Sequence, residues 1–259
     1  MLEVREVKLS NLADCSRLCV GTSLPPGLDS FAAVDLQRAK LAFFRQYRGL
    51  GAAARAAYRD GNLVGSLEWY PVELSPTPVA GNDLFVVQCA RTLEPGARAE
   101  VMAAMVGAAE EAWSARAGVA ALGRKRSWEE FGFESVETRR APEKDGGNQT
   151  LFLRRTRPEA EARFLDPAVS MAPETGKLRV DLFLSDRCPW NGYVYAVVRK
   201  ACASYGKPIQ IVEHDCRTRT GVEKTGVGAG VAVNGVLRPL LRPHLLPDER
   251  AIHRMLDMG

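Results

Sequence analysis

The chain is poor in histidine, has no Cys-x-x-Cys pair and contains no long apolar run, and each of these absences removes a class of chemistry. Its three histidines, His214, His244 and His253, all lie beyond residue 210, so the first half has no histidine of its own to act as a base. Six cysteines, at positions 15, 19, 89, 188, 202 and 216, follow no disulfide-scaffold spacing. Reduced and mostly buried thiols are expected, and a structural zinc ribbon is not. No apolar stretch approaches the ~18–20 residues that span a bilayer, so no membrane partner is expected. The opening MLEVREVKLS alternates charges and lacks the apolar centre of a signal peptide, which points to a cytoplasmic protein. A formal charge of +4 spread over scattered basic residues argues against a nucleic-acid face.

What is present is the composition of a globular protein, with 46% hydrophobic and 25% charged residues and no low-complexity tract. A length of 259 residues admits one large domain or two ordinary ones. The stretch from Asp83 to Trp113 organises the first half. Leu84 to Cys89 is a short apolar, β-branched run and predicts a strand. Val101, Met102, Met105, Val106, Ala109 and Trp113 recur at helical spacing. The loop between them holds Pro95, Gly96 and two arginines, Arg91 and Arg98, so a strand feeds a helix N-terminus that can bind an anion.

Around that stretch the pattern predicts a strand over Leu2–Val7 and helices over Asn11–Cys19 and Asp35–Tyr47. Strands are expected at Ala53–Tyr58 and Asn62–Tyr70, joined at Asp60-Gly61 by a hairpin turn. Val119–Leu122 predicts a strand, Ser127–Phe131 a short helix, and Phe133–Thr138 and Gln149–Arg154 two final strands. Thr156 to Lys177 mixes charge and proline, shows no strand pattern and reads as a linker with a helical turn near Glu159–Phe164. Beyond it come a strand at Leu178–Leu184, a Cys188 loop entering a helix that runs through Tyr205, and a strand at Ile209–His214. A hairpin about Asn234-Gly235 follows, and a closing helix at Pro247–Met258.

The first half runs strand, two helices, three strands, a long helix, strand, short helix, two strands. That order, with Gly65-Ser-Leu-Glu-Trp-Tyr-Pro-Val-Glu73, resembles the GNAT acetyltransferases, and in particular the GxIEYxPxE signature of their YoaP-like branch. Cys89 in its strand, Asp14-Cys15 with Leu18-Cys19, and Trp128-Glu-Glu-Phe-Gly-Phe-Glu134 are similar to further features of that branch. The second half, with its Cys188 loop and VAVNG hairpin, resembles the small thioredoxin-like domain that YoaP-like proteins carry. The resemblance implies an α/β (α+β) protein: a GNAT-like mixed sheet with helices on both faces over residues 1–156, a linker at 157–177 and a thioredoxin-like domain over 178–259.

It also implies transfer of an acetyl or related acyl group from acetyl-CoA, as cosubstrate, to the amine of a small-molecule or peptide acceptor, with the C-terminal domain assisting. Glu68 and Glu73 become candidate bases, because in the resembled family they face the cofactor cleft. Cys89, Ala90, Arg91, Gly96, Ala97, Arg98 and Ala99 become the candidate cofactor-binding segment. The pyrophosphate run of the family carries two small residues in a Gly-x-Gly/Ala arrangement, whereas Leu93–Glu100 has the single glycine Gly96. A tyrosine often found in the family's last helix aligns with Trp128, whose indole cannot supply a proton.

Cys188 opens Cys188-Pro-Trp-Asn191 at a helix N-terminus, where the dipole favours thiolate. Asn191 stands in the resolving-cysteine position, so a dithiol cycle within the motif is excluded. Cys188 is then a lone nucleophilic or partner-binding thiol, a thiol joined by Cys216 or by His214 and Cys216 around a soft metal, or a remnant in a packing domain. The alternative function is accordingly a non-catalytic GNAT scaffold with a thiol or metal role at Cys188. Cys15 and Cys19, four apart on one helical face, are expected to be buried small hydrophobes. An oligomer is left open.

Overall fold

The computed structural model describes residues 1–20, 30–124, 127–140, 148–166, 168–173, 177–238 and 248–258. In chain order the elements are β1 (Leu2–Glu6), α1 (Leu12–Val20), α2 (Ser30–Arg48), β2 (Ala53–Arg59), β3 (Asn62–Pro71), β4 (Val79–Gly81), β5 (Leu84–Thr92), α3 (Arg98–Trp113), β6 (Gly118–Gly123), β7 (Glu134–Arg140), β8 (Asn148–Arg155) and β9 (Ala162–Phe164). They continue with β10 (Leu178–Leu184), α4 (Trp190–Ser204), β11 (Ile209–Asp215), α5 (Arg219–Thr225), β12 (Gly230–Val233), β13 (Val236–Arg238) and α6 (Glu249–Asp257). None of the described helices is long and apolar enough to cross a membrane.

The large sheet is the expected mixed one, in the order β1-β2-β3-β5-β6-β8-β7, with helices on both faces. Asp60 (φ 50°) and Gly61 (φ 81°) both take the left-handed conformation, giving the tight two-residue turn that joins β2 to β3. Along β3 and β5 the side chains alternate. Leu67, Trp69, Phe85 and Val87 face α3, where Met105 and Trp113 complete a dry core and Trp69 meets Trp113 edge-on at 5.7 Å. Gly65 lets α3 lie this close: a Cβ there would stand 2.7 Å from Val101 Cγ1. On the opposite face, Ala54, Ala56 and Tyr58 pack with Phe44 of α2, and Tyr70 packs with Phe43 and Tyr47.

All strand pairs of this sheet are antiparallel except β5 with β6. That parallel ladder is short, joining only Leu84–Val86 to Gly118–Ala120. Beyond Val86, β5 runs on beside β3 and β6 runs on beside β8, so the two part. A bulge in the β3–β5 ladder, where Glu68 opposes Cys89 and Trp69 opposes Val87, leaves Gln88 unopposed and bends β5 at the same place.

Two sequence expectations are corrected here. Residues 162–164 form the strand β9 rather than a helical turn, pairing antiparallel with β4 so that Val79 opposes Phe164. Phe164 is buried and Arg163 exposed, a period of two too short to detect in the sequence. The short helix expected over Ser127–Phe131 is a 3-10 turn confined to Glu129–Phe131 and stopped by Gly132 at φ 78°. The structure also adds α5, capped by Thr218 and ended by Gly226 in the left-handed conformation.

The smaller sheet has the order β11-β10-β12-β13, with β10 and β11 parallel and the other pairs antiparallel. Val180 and Leu182 face α4 and α6, while Phe183 faces Cys216 and Val222 on the other side. Its hairpin, β12 to β13, turns at Asn234 (φ 47°) and Gly235 (φ 83°). Asp181, fully buried on β10, accepts hydrogen bonds from Arg179 Nη2 (2.8 Å) and from His214 Nε2 (2.7 Å), and His214 stacks on Phe183. Removing this carboxylate leaves a nearly buried guanidinium without its counter-ion. Asp181→Ala is therefore expected to lower stability by about 3 kcal/mol or more. Equilibrium urea unfolding reads this directly, and a loss below 1 kcal/mol (roughly the worth of a surface pair) would contradict it.

Candidate active site

Where β5 and β6 part, a cleft of 670 Å³ opens, lined on one side by Val87–Ala90 and on the other by Leu122 and Gly123. The first turn of α3 adds Arg98 and Met102, and Arg124, Ser127, Trp128 and Gln149 close the far wall. The N-cap of α3 is Ala97, which offers no side-chain cap, so the helix presents its first N–H groups and positive dipole end without an internal acceptor from that residue. Gly96 sits in the 3-10 turn Pro95–Ala97 that feeds the helix, with open space around its Cα. Nothing in its packing requires a glycine. The two acids that would oppose a phosphate here, Glu94 and Glu100, are both ion-paired to Arg59, at 3.0 and 2.7 Å.

Three arginines line the cleft, Arg98, Arg124 and Arg187, and no carboxylate does among the described residues. Arg187 comes from the small sheet, in the loop between β10 and α4. Gln88, the bulged residue of β5, holds it: the Gln88 carbonyl oxygen accepts from Arg187 Nε (2.9 Å) and Nη1 (3.2 Å), and its amide nitrogen donates to Thr77 Oγ1 (3.0 Å). This amide orientation is the one that satisfies both neighbours. Neighbouring contacts fix the same junction. Arg219 Nη1 donates to the Ser75 and Thr77 carbonyls, Tyr47 Oη donates to the Arg217 carbonyl, and Gly228 presses so closely on Pro76 that a Cβ would lie 2.2 Å from its carbonyl oxygen.

Glu68 lies directly across the β3–β5 ladder from Cys89, on the α2 face of the sheet. It is 1% exposed and its Oε2 accepts from Lys40 Nζ at 2.5 Å, while its Oε1 has no partner among the described residues. Ser66 Oγ and Tyr70 Oη, two residues away on either side, are also buried without partners among the described residues. Such groups are rare in a folded protein. The three alternate on one strand face behind Cys89, and none of them is among the cleft's lining residues. Burial, reinforced by the Glu68 charge, pushes the Tyr70 phenol far above its ordinary pKa, so it remains a donor.

The other sequence candidates fall as follows. Cys89, Ala90 and Arg98 line the cleft; Arg91, Gly96, Ala97 and Ala99 are not among its lining residues. Glu73 stands away from it in the turn after β3, half-exposed and held by Arg116 at 2.8 and 2.9 Å. Trp128 lines the cleft, but its indole N–H donates to the Leu122 carbonyl (3.2 Å) and fixes the wall. Cys188 is half-buried one residue from Arg187; Asn191 is buried and donates through Nδ2 to the Ser185 carbonyl (2.9 Å). Cys216 is buried against Thr225, and burial raises both its thiol and that of Cys202, the latter to about 11. Among the described residues no three His, Cys, Asp or Glu side chains converge as metal ligands. The side chains of Cys15 and Cys19, and all of His244, lie outside the described residues.

Sequence reasoning missed Lys40, Thr77, Gln88 and Arg187. Gln88 alone left a signal, as a polar residue inside an apolar strand run.

No protein-family model matches the chain, and no curated protein matches it in sequence. Solved structures do resemble it. One is the ribosomal-protein-S18-alanine N-acetyltransferase of Escherichia coli, at 11% identity and TM-score 0.40, covering 62% of this chain and 97% of that one. Another is the PaiA N-acetyltransferase of Thermoplasma acidophilum in complex with coenzyme A, at 10% identity and TM-score 0.40, covering 60% and 99%. A third is an acetyltransferase of the GNAT family from Streptococcus pneumoniae, at 10% identity and TM-score 0.42, covering 60% and 99%. Likeness at this level says nothing of chemistry, which the site's own residues must supply.

The Lys40–Glu68 pair is testable by itself. Lys40→Ala strands a buried carboxylate and is expected to cost about 3–5 kcal/mol, whereas Lys40→Met with Glu68→Leu removes both charges and is expected to recover most of that loss. Denaturant unfolding of the two variants separates them; equal losses would mean the pair is not buried as described.

Proposed function

We propose that the chain is an acyltransferase that moves an acetyl or related acyl group from acyl-coenzyme A to an amine. The GNAT-type part would be residues 1–156, and a thioredoxin-like, YoaP-type part, residues 178–259, would assist the acceptor across the 157–177 connection. The order β11-β10-β12-β13 with α4 after the first strand supports the second assignment. The single observation that carries the function is the parted β5–β6 ladder opening onto the uncapped start of α3, with Arg98 and Arg124 on its walls. A phosphate-bearing, elongated ligand fits that combination. Helix N–H groups and arginines suit its phosphates, and the strand edge along Val87–Ala90 suits amide groups that extend a ladder. Cys89 and Ala90 would flank the thioester, and Gly96, Ala97 and Ala99 would bring backbone to the phosphate end.

Glu68 is the base of this reading. The amine nitrogen bonds to the thioester carbonyl carbon and the carbon–sulfur bond breaks. The proton lost by nitrogen passes through a water relay to Glu68 Oε1, which lies behind the lining residue Cys89, and a proton returns to the coenzyme A thiolate. Lys40 holds the second carboxylate oxygen, which fixes the geometry in advance. Positioning of amine and thioester in one cleft supplies the rest of the rate. Neither Glu73, bound to Arg116, nor the sulfur of Cys188 is needed. The cytoplasmic location expected from the sequence belongs to this reading.

Thermal unfolding with acetyl-CoA tests it. The Tm is expected to climb with ligand concentration by mass action. Arg98→Ala is expected to weaken binding about tenfold or more, the worth of a charged hydrogen bond. No shift at millimolar acetyl-CoA would overturn the proposal.

A further inference from the structure

The cleft has two sides with different chemistry. Arg98 enters it from the face of the large sheet that carries α3, the face shared by Phe85, Val87 and Trp69. Arg187 enters beside Thr77, whose neighbour Val79 packs with Leu84 and Val86 on the opposite face. Glu68 lies on that opposite face too, with Lys40 and Tyr70. A base must stand where the attacking amine arrives, so under the acyltransferase reading this is the acceptor side.

Arg187 is prepared for an anion there. Gln88 occupies its Nε and Nη1, both neutral contacts, and no carboxylate among the described residues pairs with it. Its Nη2 edge takes no bond from the described residues. A guanidinium gripped along one edge by an amide and left with its charge uncompensated is oriented for a carboxylate, because the planar fork keeps its direction while the charge stays available. The groups that do line the cleft beside Arg187, Thr77, Gln88 and Cys89, are polar, which suits a polar acceptor rather than an aliphatic one.

We propose that Arg187, delivered by the small sheet through Gln88 and Thr77, binds the carboxylate of the acceptor, and that the acceptor is an amine that also carries a carboxylate, an amino acid or short peptide. This rests on the acyltransferase reading and adds to it the substrate class and the task of the second unit. Arg187 orients the acceptor by its carboxylate and Glu68 receives the proton from its amine. Arg187 is the one arginine that lines the cleft on this side among the described residues, which favours a singly charged carboxylate over a phosphate.

The test uses the full chain, acetyl-CoA, and a panel of the common amino acids and dipeptides beside their C-terminal amides, the parent amines lacking a carboxylate, and phosphoethanolamine. Acetylated product is measured by mass spectrometry. Carboxylate acceptors are expected to be acetylated with kcat/KM about tenfold or more above their amides. Arg187→Gln is expected to raise the acceptor KM by a similar factor and erase the acid–amide gap, with Arg187→Lys restoring part of it, while acetyl-CoA binding by calorimetry stays unchanged. Equal rates on acids and amides, a preference for phosphoethanolamine, or an Arg187→Gln loss shared equally by acids and amides would overturn the assignment. So would acetyl-CoA binding with no carboxylate acceptor in the panel turned over. Absence of acetyl-CoA binding would instead defeat the acyltransferase reading, and the acceptor assignment with it.

Discussion

The rest of the site depends on a short parallel ladder. β5 and β6 are bonded only from Leu84–Val86 to Gly118–Ala120, and everything proposed for this protein follows from where that bonding stops. A strand needs partners for its backbone on both edges, and a sheet interior ordinarily supplies them. Here β3 and β8 draw the two strands apart, and the bulge at Gln88 completes the divergence. The Trp113 and Trp128 clusters stabilise the walls. Trp128 does so with its indole N–H committed to the Leu122 carbonyl.

The second constraint is electrostatic. Lys40 and Glu68 are both nearly inaccessible to water, and a pair so buried must recover a large desolvation cost through its own contact. It holds one carboxylate oxygen and leaves the other unpartnered among the described residues, a poor arrangement for stability alone, and that free oxygen is the one the proposed mechanism uses. The cleft's arginines complement this. Arg98 brings positive charge to the α3 end, and Arg59 removes Glu94 and Glu100 from opposing it.

Local features of the fold were legible in the residues, and long-range ones were not. Asp60-Gly61 and Asn234-Gly235 announced their hairpins because few residue types adopt both left-handed positions. The apolar spacing from Val101 to Trp113 identified the buried face of α3, since every one of those residues is buried. β4 and β9 were missed because three-residue strands carry no readable period; each is specified by the other. Within the site, Cys89, Ala90 and Arg98 were reachable through the strand–loop–helix pattern. Lys40 was not, since a lysine on an amphipathic helix reads as solvent-facing until its partner, 28 residues away, is folded against it. Arg187 was harder still: it is adjacent to a conspicuous cysteine, and only packing of the small sheet on Ser75–Thr77 shows that the arginine of that loop enters the cleft.

In the acyltransferase proposed here, the open edge of β5 and the start of α3 form one binding surface. Hydrogen–deuterium exchange read peptide by peptide, with and without coenzyme A, measures that surface directly. Slowed exchange is expected across residues 87–92 and 98–102 on addition of coenzyme A, and unchanged exchange in β11. Binding of coenzyme A that leaves 87–92 unprotected, or that protects only the small sheet, would contradict it.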